Sequence, residues 1–460
     1  MTTATFRLPN VRVAARLSAT QATILLAWAT LFAFVTAPPA DFFGVAPGLG
    51  WGDLLWMAML PFFLYLVVFR GFRRAHDVPL VIASFAYTGL ILILPLVGLL
   101  LFPLASLSWV FGDYRWVQLL VVAAALWVAY RGADLQAIER HFVAFLVLLL
   151  LLQWVGLFSQ VAVQVFGLAP GRVLEVWYPG GGDGYGLYGH HIGRYASLLD
   201  SAGPFSFVGG VAFFLGLLLG FHRSWVNGFM FISGVVFVVA AGTRTMMFGA
   251  PVVALVILLA LVASRGAIGY RALLSGFLVV ALSPFFFYFL YYFNIGRIAS
   301  SDRLRSVWEW VTGQATFNDI SGRGGDLWLR PIEEAQSEWS AIGTLVNPGH
   351  ALDHLPAFDS YWVFMVAQAG PFLVLPFLAL MALLSLRGWG LLRLGYFSGA
   401  VAVAVSMAIL LSSITQNTMT GMPARVFLGI AILIVLMTGV SRRGQARGGA
   451  VQNGNLTGRK

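Results

Sequence analysis

Apolar residues run through this chain in stretches too long and too uniform for the alternation of a strand or the single stripe of a soluble helix. A bilayer core of about 30 Å needs roughly 20 apolar residues per helix. Twelve stretches approach that measure: residues 19–37, 51–69, 79–102, 116–130, 142–166, 199–221, 225–242, 245–263, 272–293, 360–385, 394–415 and 423–440. The pattern predicts an all-α polytopic membrane protein with about 12 transmembrane helices. Its regions are an N-terminal segment at 1–18, helices 1–9 across 19–293, a loop at 294–358, helices 10–12 across 359–440, and a tail at 441–460. A second outer loop, 168–193, separates helices 5 and 6. The first stretch follows three arginines and ends near small residues, as a signal peptide does. Its long apolar core and the placement of Pro38 and Pro39 favour an uncleaved first span.

Composition agrees with this reading. Hydrophobic residues make up 59% of the chain and charged residues only 10%, with a mean hydropathy of +0.85, which excludes a soluble class. The absence of cysteine removes disulfides, thiolate metal sites and a cysteine nucleophile. The net charge of +10 is explained by sidedness. With the N-terminus in the cytoplasm, that side holds eighteen of the 28 lysines and arginines but three of the 18 carboxylates. The positive-inside rule therefore puts both termini in the cytoplasm, and nucleic acid is not an expected partner. The tail from Ser441 to Lys460 reads as a disordered basic extension near anionic headgroups.

The informative polar residues lie on the other side. Arg194, Asp200, Arg244, Asp359 and Arg425 fall near the outer ends of predicted spans. Ions at such positions are costly unless paired or facing water, so together they point to one outward polar cavity. Guanidinium forks there suit an anion such as a pyrophosphate. For Arg425 the expectation is simple snorkelling to the interface, and Arg244 admits either role. The 294–358 loop carries Arg297, Arg303, Arg305, Arg323 and Arg330 with eight carboxylates and two histidines. Helix-like spacing recurs at 304–312 and 326–340. The run from Pro179 to Gly186 lacks the lysine of a phosphate-binding loop and reads as a flap. His350 and His354 stand four apart between Pro348, Gly349 and Pro356, a loop context, so no metal site is expected.

Four short pieces have an order and sidedness that go together: Arg194 to Pro204 (RYASLLDSAGP), Ala241 to Thr245 (AGTRT), Ser321 to Trp328 (SGRGGDLW), and Asp359-Ser360-Tyr361 followed by Gly370. In these the chain resembles the O-antigen ligase and O-antigen polymerase superfamily of bacterial polysaccharide assembly, over about residues 190 to 385. The interval from Arg194 to Gly203 is shorter than polymerases often show, and Ser360 stands where the family has asparagine. Asp359 stands where lipid A-core ligases usually carry histidine, which favours a polymerase. The resemblance implies a GT-C-like fold with its large helical loop in the periplasm and a site facing that side of the bacterial inner membrane. It implies metal-independent glycosyl transfer, without cofactor, from an undecaprenyl-diphosphate-linked oligosaccharide. Arg194, Arg244, Arg323 and Arg330 would hold the diphosphate. Asp359, or else His354, would be the base, with Trp328 and Tyr361 at the sugar. Such tryptophans serve equally as loop core or interfacial belt. A flippase and a chain-length regulator would be partners in the same pathway. The alternatives are a ligase to lipid A-core or protein and, in another class, a lipid-linked oligosaccharide transporter or flippase.

Overall fold

The computed structural model describes residues 19–36, 51–70, 77–102, 105, 114–130, 135–166, 195, 197–199, 202–265, 328–355, 358, 360–417, 419 and 421–456. Within them lie helices α1 (Ala19–Thr36), α2 (Trp51–Arg70), α3 (Val78–Leu101), α4 (Tyr114–Ala129), α5 (Leu135–Phe166), α6 (Ala202–Leu219) and α7 (Trp225–Ala241). They are followed by α8 (Arg244–Arg265), α9 (Arg330–Glu338), α10 (Pro348–Ala351), α11 (Tyr361–Ala369), α12 (Pro371–Arg393), α13 (Phe397–Thr415) and α14 (Met422–Leu456). No strand occurs among the described residues. Eight helices are long and apolar enough to cross a bilayer, and α4, α7 and α8 are shorter apolar helices. The chain is thus an all-helical polytopic membrane protein. The predicted span at 272–293, the 168–193 loop and the first part of the large loop lie outside the described residues.

Packing follows the distribution of small residues, because helices surrounded by lipid associate through close backbone approach rather than hydrophobic burial. α6, α13 and α14 are the most enclosed of the spans. The α6–α7 crossing runs over Gly209, Gly216 and Gly234. A Cβ at Gly234 would come within 2.3 Å of the Phe213 backbone nitrogen. Gly388 and Gly399 do the same for α12 and α13, where Ser385 Oγ also donates to Ser406 Oγ at 3.0 Å. Around this core, Leu100, Val68 and Leu386 are 85%, 76% and 69% exposed, as side chains facing hydrocarbon should be.

Three sequence expectations need correction. The stretch 360–385 is two helices, α11 and α12. Gly370 separates them at φ +51, and Pro371 cannot donate back into α11 but suits the first position of a new helix. The tail is not disordered at its start, since α14 continues through Leu456. An established helix propagates by one hydrogen bond per residue, and Arg442, Arg443, Gln445 and Arg447 are good helix formers. Finally, α5 begins at Leu135 rather than 142, because its first polar turns continue the helix although hydropathy marks only the apolar part.

Gly234→Val should therefore lower the thermal midpoint of the detergent-solubilised protein, by overpacking on the order of 1–3 kcal/mol. Gly390→Ala, where a Cβ meets nothing within 4 Å, should leave it unchanged. Equal midpoints for the two variants would refute this account of the α6–α7 crossing.

Candidate functional site

The site is organised by a helical hairpin. Tyr361 and Trp362 on α11 both meet the Phe377 ring of α12, at 5.5 and 5.4 Å, so the two helices run antiparallel back from Gly370. The level of Tyr361 can be measured along its neighbours. Asp77 and Arg387 pair at the opposite end of α3 and α12, with Nε to Oδ2 at 2.9 Å. Tyr87 and Phe377 are each ten residues from that pair, about 15 Å at 1.5 Å per residue, and their rings lie 5.6 Å apart. The Tyr87 and Tyr361 hydroxyls hydrogen-bond there. Phe377 is six residues from Pro371, about 9 Å. α11 thus starts inside the helical bundle and climbs back to its end.

Irregular backbone at that depth must find protein partners. The Ser360 hydroxyl donates to the Ser413 carbonyl at 3.1 Å and the Tyr361 amide to the Gln416 carbonyl at 3.0 Å. Both acceptors belong to the last turn and cap of α13, where carbonyls lack partners within the helix. At the other end of α11, the Thr344 and Leu345 amides donate to the carbonyls of Ala367 and Gln368 at 2.9 and 2.8 Å. Gly343, at φ +123, lets that segment approach, since a Cβ would sit 2.3 Å from the Ala367 oxygen.

Other helix ends gather at the same place. The Thr245 and Thr415 hydroxyls bond α8 to α13, and Ser206 with Thr243 bonds α6 to the α7–α8 turn. The Tyr195 amide donates to the Ala240 carbonyl at 3.0 Å. The Ser197 amide donates to Gln160 Oε1 at 2.8 Å and its hydroxyl to the Gln153 carbonyl at 2.6 Å. Arg425 on α14 is 6% exposed. Its Nε donates to the Met419 carbonyl at 2.7 Å and its guanidinium lies 5.0 Å from the Trp116 ring centroid. Snorkelling, expected from the sequence, is therefore wrong for Arg425: the side chain is engaged inside the protein.

Of the sequence candidates, Arg194, Arg323 and Asp359 lie outside the described residues, as does Asp200. Tyr195, beside Arg194, and Ser360 and Tyr361, beside Asp359, belong to this gathering of helix ends, and Arg244 opens α8 within it. Tyr361 is 3% exposed and stacks on Phe364 at an interplanar angle of 16°, so its ring is packed within the hairpin. Trp328 is partly buried at the entry to α9.

Arg330 and His354 are brought together by Glu334, which the sequence reading did not single out. Arg330 Nε donates to Glu334 Oε1 at 2.7 Å, one turn along α9, and His354 Nε2 lies 2.7 Å from Glu334 Oε2. The Arg330 hydrogen bond, followed by that of His354, holds the Glu334 carboxyl below its ordinary range. One ligand atom each from Glu334, Glu338 and His354 lie within 4.8 Å of one another. A small cation would fit that spacing, but it would compete with the Arg330 guanidinium. The i, i+4 spacing of Arg330 and Glu334 on a predicted helix was the available signal. For Gln153 and Gln160 it was two amides two turns apart on one face of an apolar span.

The chain matches no protein-family model and no curated relative.

The lowered Glu334 pKa fixes the sign of a pH effect. A depressed folded-state pKa contributes stability above the unfolded value, lost as pH falls through the folded one. Amide-exchange protection of α9, corrected for intrinsic rate, should be level near neutrality and decline once pH drops below the ordinary value of 4.5. Glu334→Gln should lack that decline relative to wild type; an identical acid limb in both would remove Glu334 as its cause.

Proposed function

We propose that the protein is a metal-independent glycosyltransferase of the outer face of the bacterial inner membrane. In this reading it polymerises undecaprenyl-diphosphate-linked oligosaccharide repeat units of an O-antigen, capsule or exopolysaccharide, as members of the superfamily it resembles do. The observation that supports this best is the convergence of helix ends. The α7–α8 turn, the end of α13 and the start of α11 meet, Tyr195 bonds the end of α7 beside them, and these elements carry or adjoin Arg244, Asp359 and Arg194 in the sequence.

The chemistry assigns the roles. A sugar hydroxyl of the incoming repeat unit attacks the anomeric carbon of the donor, the bond to the lipid diphosphate breaks, and the hydroxyl proton passes to a base. Charge develops on the departing diphosphate, where fixed cations stabilise it without reorganisation. Arg194, Arg244, Arg323 and Arg330 take that part. Asp359 is the base, contributing on the order of 10²–10⁴ in rate. The recess favours a lipid-linked substrate, because the leaving group is delivered from the bilayer itself.

A second reading is favoured by the Glu334–His354 pair. A carboxylate bonded to imidazole fixes the ring and supports a histidine base, and His354 as base would suit a ligase that transfers finished glycan to lipid A-core or protein.

The test is a gel of surface and lipid-linked glycans from a deletion strain complemented with wild type, Asp359→Asn, Arg323→Lys or His354→Gln. Polymerase activity predicts a ladder with wild type, single repeat units with Asp359→Asn, and a weakened ladder with Arg323→Lys, where charge is kept but the bidentate fork is lost. Long chains stranded on the carrier, with loss of transfer in His354→Gln, establish the ligase. Repeat units retained in the cytoplasm would overturn both in favour of a flippase.

A further inference from the structure

α9 carries Glu333, Glu334 and Glu338 with Arg330, and Asp353 and His354 follow α10. Helical spacing puts Glu334 and Glu338 one turn apart on the same face. The helix is anchored on its other side. Ala335 is fully buried, and Trp339, at the helix end, packs edge-on against Phe102 at the end of α3, with ring centroids 5.0 Å apart. His354 is held in a similar way, between the buried Leu352 and Leu355, where the Leu355 amide donates to the Leu352 carbonyl at 3.0 Å. Two separately anchored elements thus bring one ligand atom each from Glu334, Glu338 and His354 to within 4.8 Å of one another. His354 Nε2 lies 2.7 Å from Glu334 Oε2, although the two residues stand 20 apart in the chain.

We propose that Glu334, Glu338 and His354 form a structural zinc site that ties α9 to the segment between α10 and α11. Two carboxylate oxygens and one imidazole nitrogen are a ligand set that zinc accepts, with water in the fourth tetrahedral position. Bonds of about 2.0–2.2 Å at tetrahedral angles place ligand atoms roughly 3.4 Å apart. Side-chain rotation closes the present spread to that value, and Glu338 and His354 are exposed, so no core packing opposes it. The imidazole selects zinc over magnesium and calcium, which take oxygen shells. The His354–Glu334 contact is the site with a proton in the ion's place: zinc displaces that proton to Nδ1 or to solvent and binds the neutral ring. Arg330 sets the affinity. Its Nε takes Glu334 Oε1 at 2.7 Å and leaves Oε2 facing His354, so the ion binds beside a like charge. The inference does not depend on glycosyl transfer, but it bears on the ligase reading, because His354 with Nε2 on zinc could not serve as a base.

The experiment uses the full chain, stripped of metal and free of any histidine tag, in a neutral maltoside detergent, and titrates it calorimetrically with zinc chloride at neutral pH. Zinc should bind saturably and raise the thermal midpoint, and magnesium chloride should do neither. Glu338→Gln and His354→Gln should each keep the zinc-free midpoint and weaken zinc by about tenfold or more, equivalent to 1.4 kcal/mol. Arg330→Gln, which removes a repelling charge and no ligand, should tighten it. Absence of zinc binding overturns the proposal, as does magnesium binding as tight as zinc, or zinc affinity that is the same in wild type, Glu338→Gln and His354→Gln. Unchanged or weaker zinc binding in Arg330→Gln also overturns it, and that variant stays informative even if the ligand variants do not fold.

Discussion

Inside a membrane every backbone amide and carbonyl must be satisfied by the protein itself, and the architecture around α11 is shaped by that constraint. The break at Gly370–Pro371 leaves a nine-residue helix whose first residue lies about 9 Å below the top of its partner. Such a helix survives only because both of its ends are claimed. Carbonyls at the end of α13 receive the Ser360 hydroxyl and the Tyr361 amide, and carbonyls at the end of α11 receive the amides of Thr344 and Leu345. The fit is complementary: the carbonyls that α13 cannot satisfy within its own last turn accept the donors that the entry to α11 supplies. Breaking the helix is thus what joins the segment from 340 to 361 to the floor formed by other helix ends.

The polar contacts below that floor extend the same logic. Tyr361 bonds Tyr87, Tyr87 packs edge-on against Trp116 at 5.9 Å, and Trp116 carries the Arg425 guanidinium. Arg425 in turn ties down the Met419 carbonyl in the turn between α13 and α14. A continuous path of packed side chains therefore runs from the hairpin through Tyr87 and Trp116 to the start of α14.

The eight long apolar helices were legible in the sequence because hydrocarbon thickness sets a length that hydropathy can read. What hydropathy cannot read is direction. Residues 360–385 are uniformly apolar, and only the Gly370-Pro371 pair signals that the chain reverses within them. Polar helix formers likewise concealed the first turns of α5 and the extension of α14. Of the site, the sequence singled out arginines and Asp359 by their type and position near span ends. It passed over Glu334, Gln153 and Gln160, whose importance lies in whom they bond. Arg425 was misjudged for a related reason: a cation near a span end reads as snorkelling, whereas here the turn before α14 folds over it.

Depth is the property that ties the proposed chemistry to the fold. Coulomb interactions strengthen as water is excluded and effective dielectric falls, so under the proposed function an arginine at a recessed floor would hold a diphosphate far more firmly than the same arginine at a headgroup surface. The same recess discourages charge without a partner, and a site built this way is most stable when its anion is present. A soluble sugar nucleotide would have to leave water to reach it. An anion carried on a lipid already has its tail in hydrocarbon and gives up less on entry. Under the proposed function, the depth of the re-entrant hairpin would therefore favour a lipid-linked donor over a soluble one.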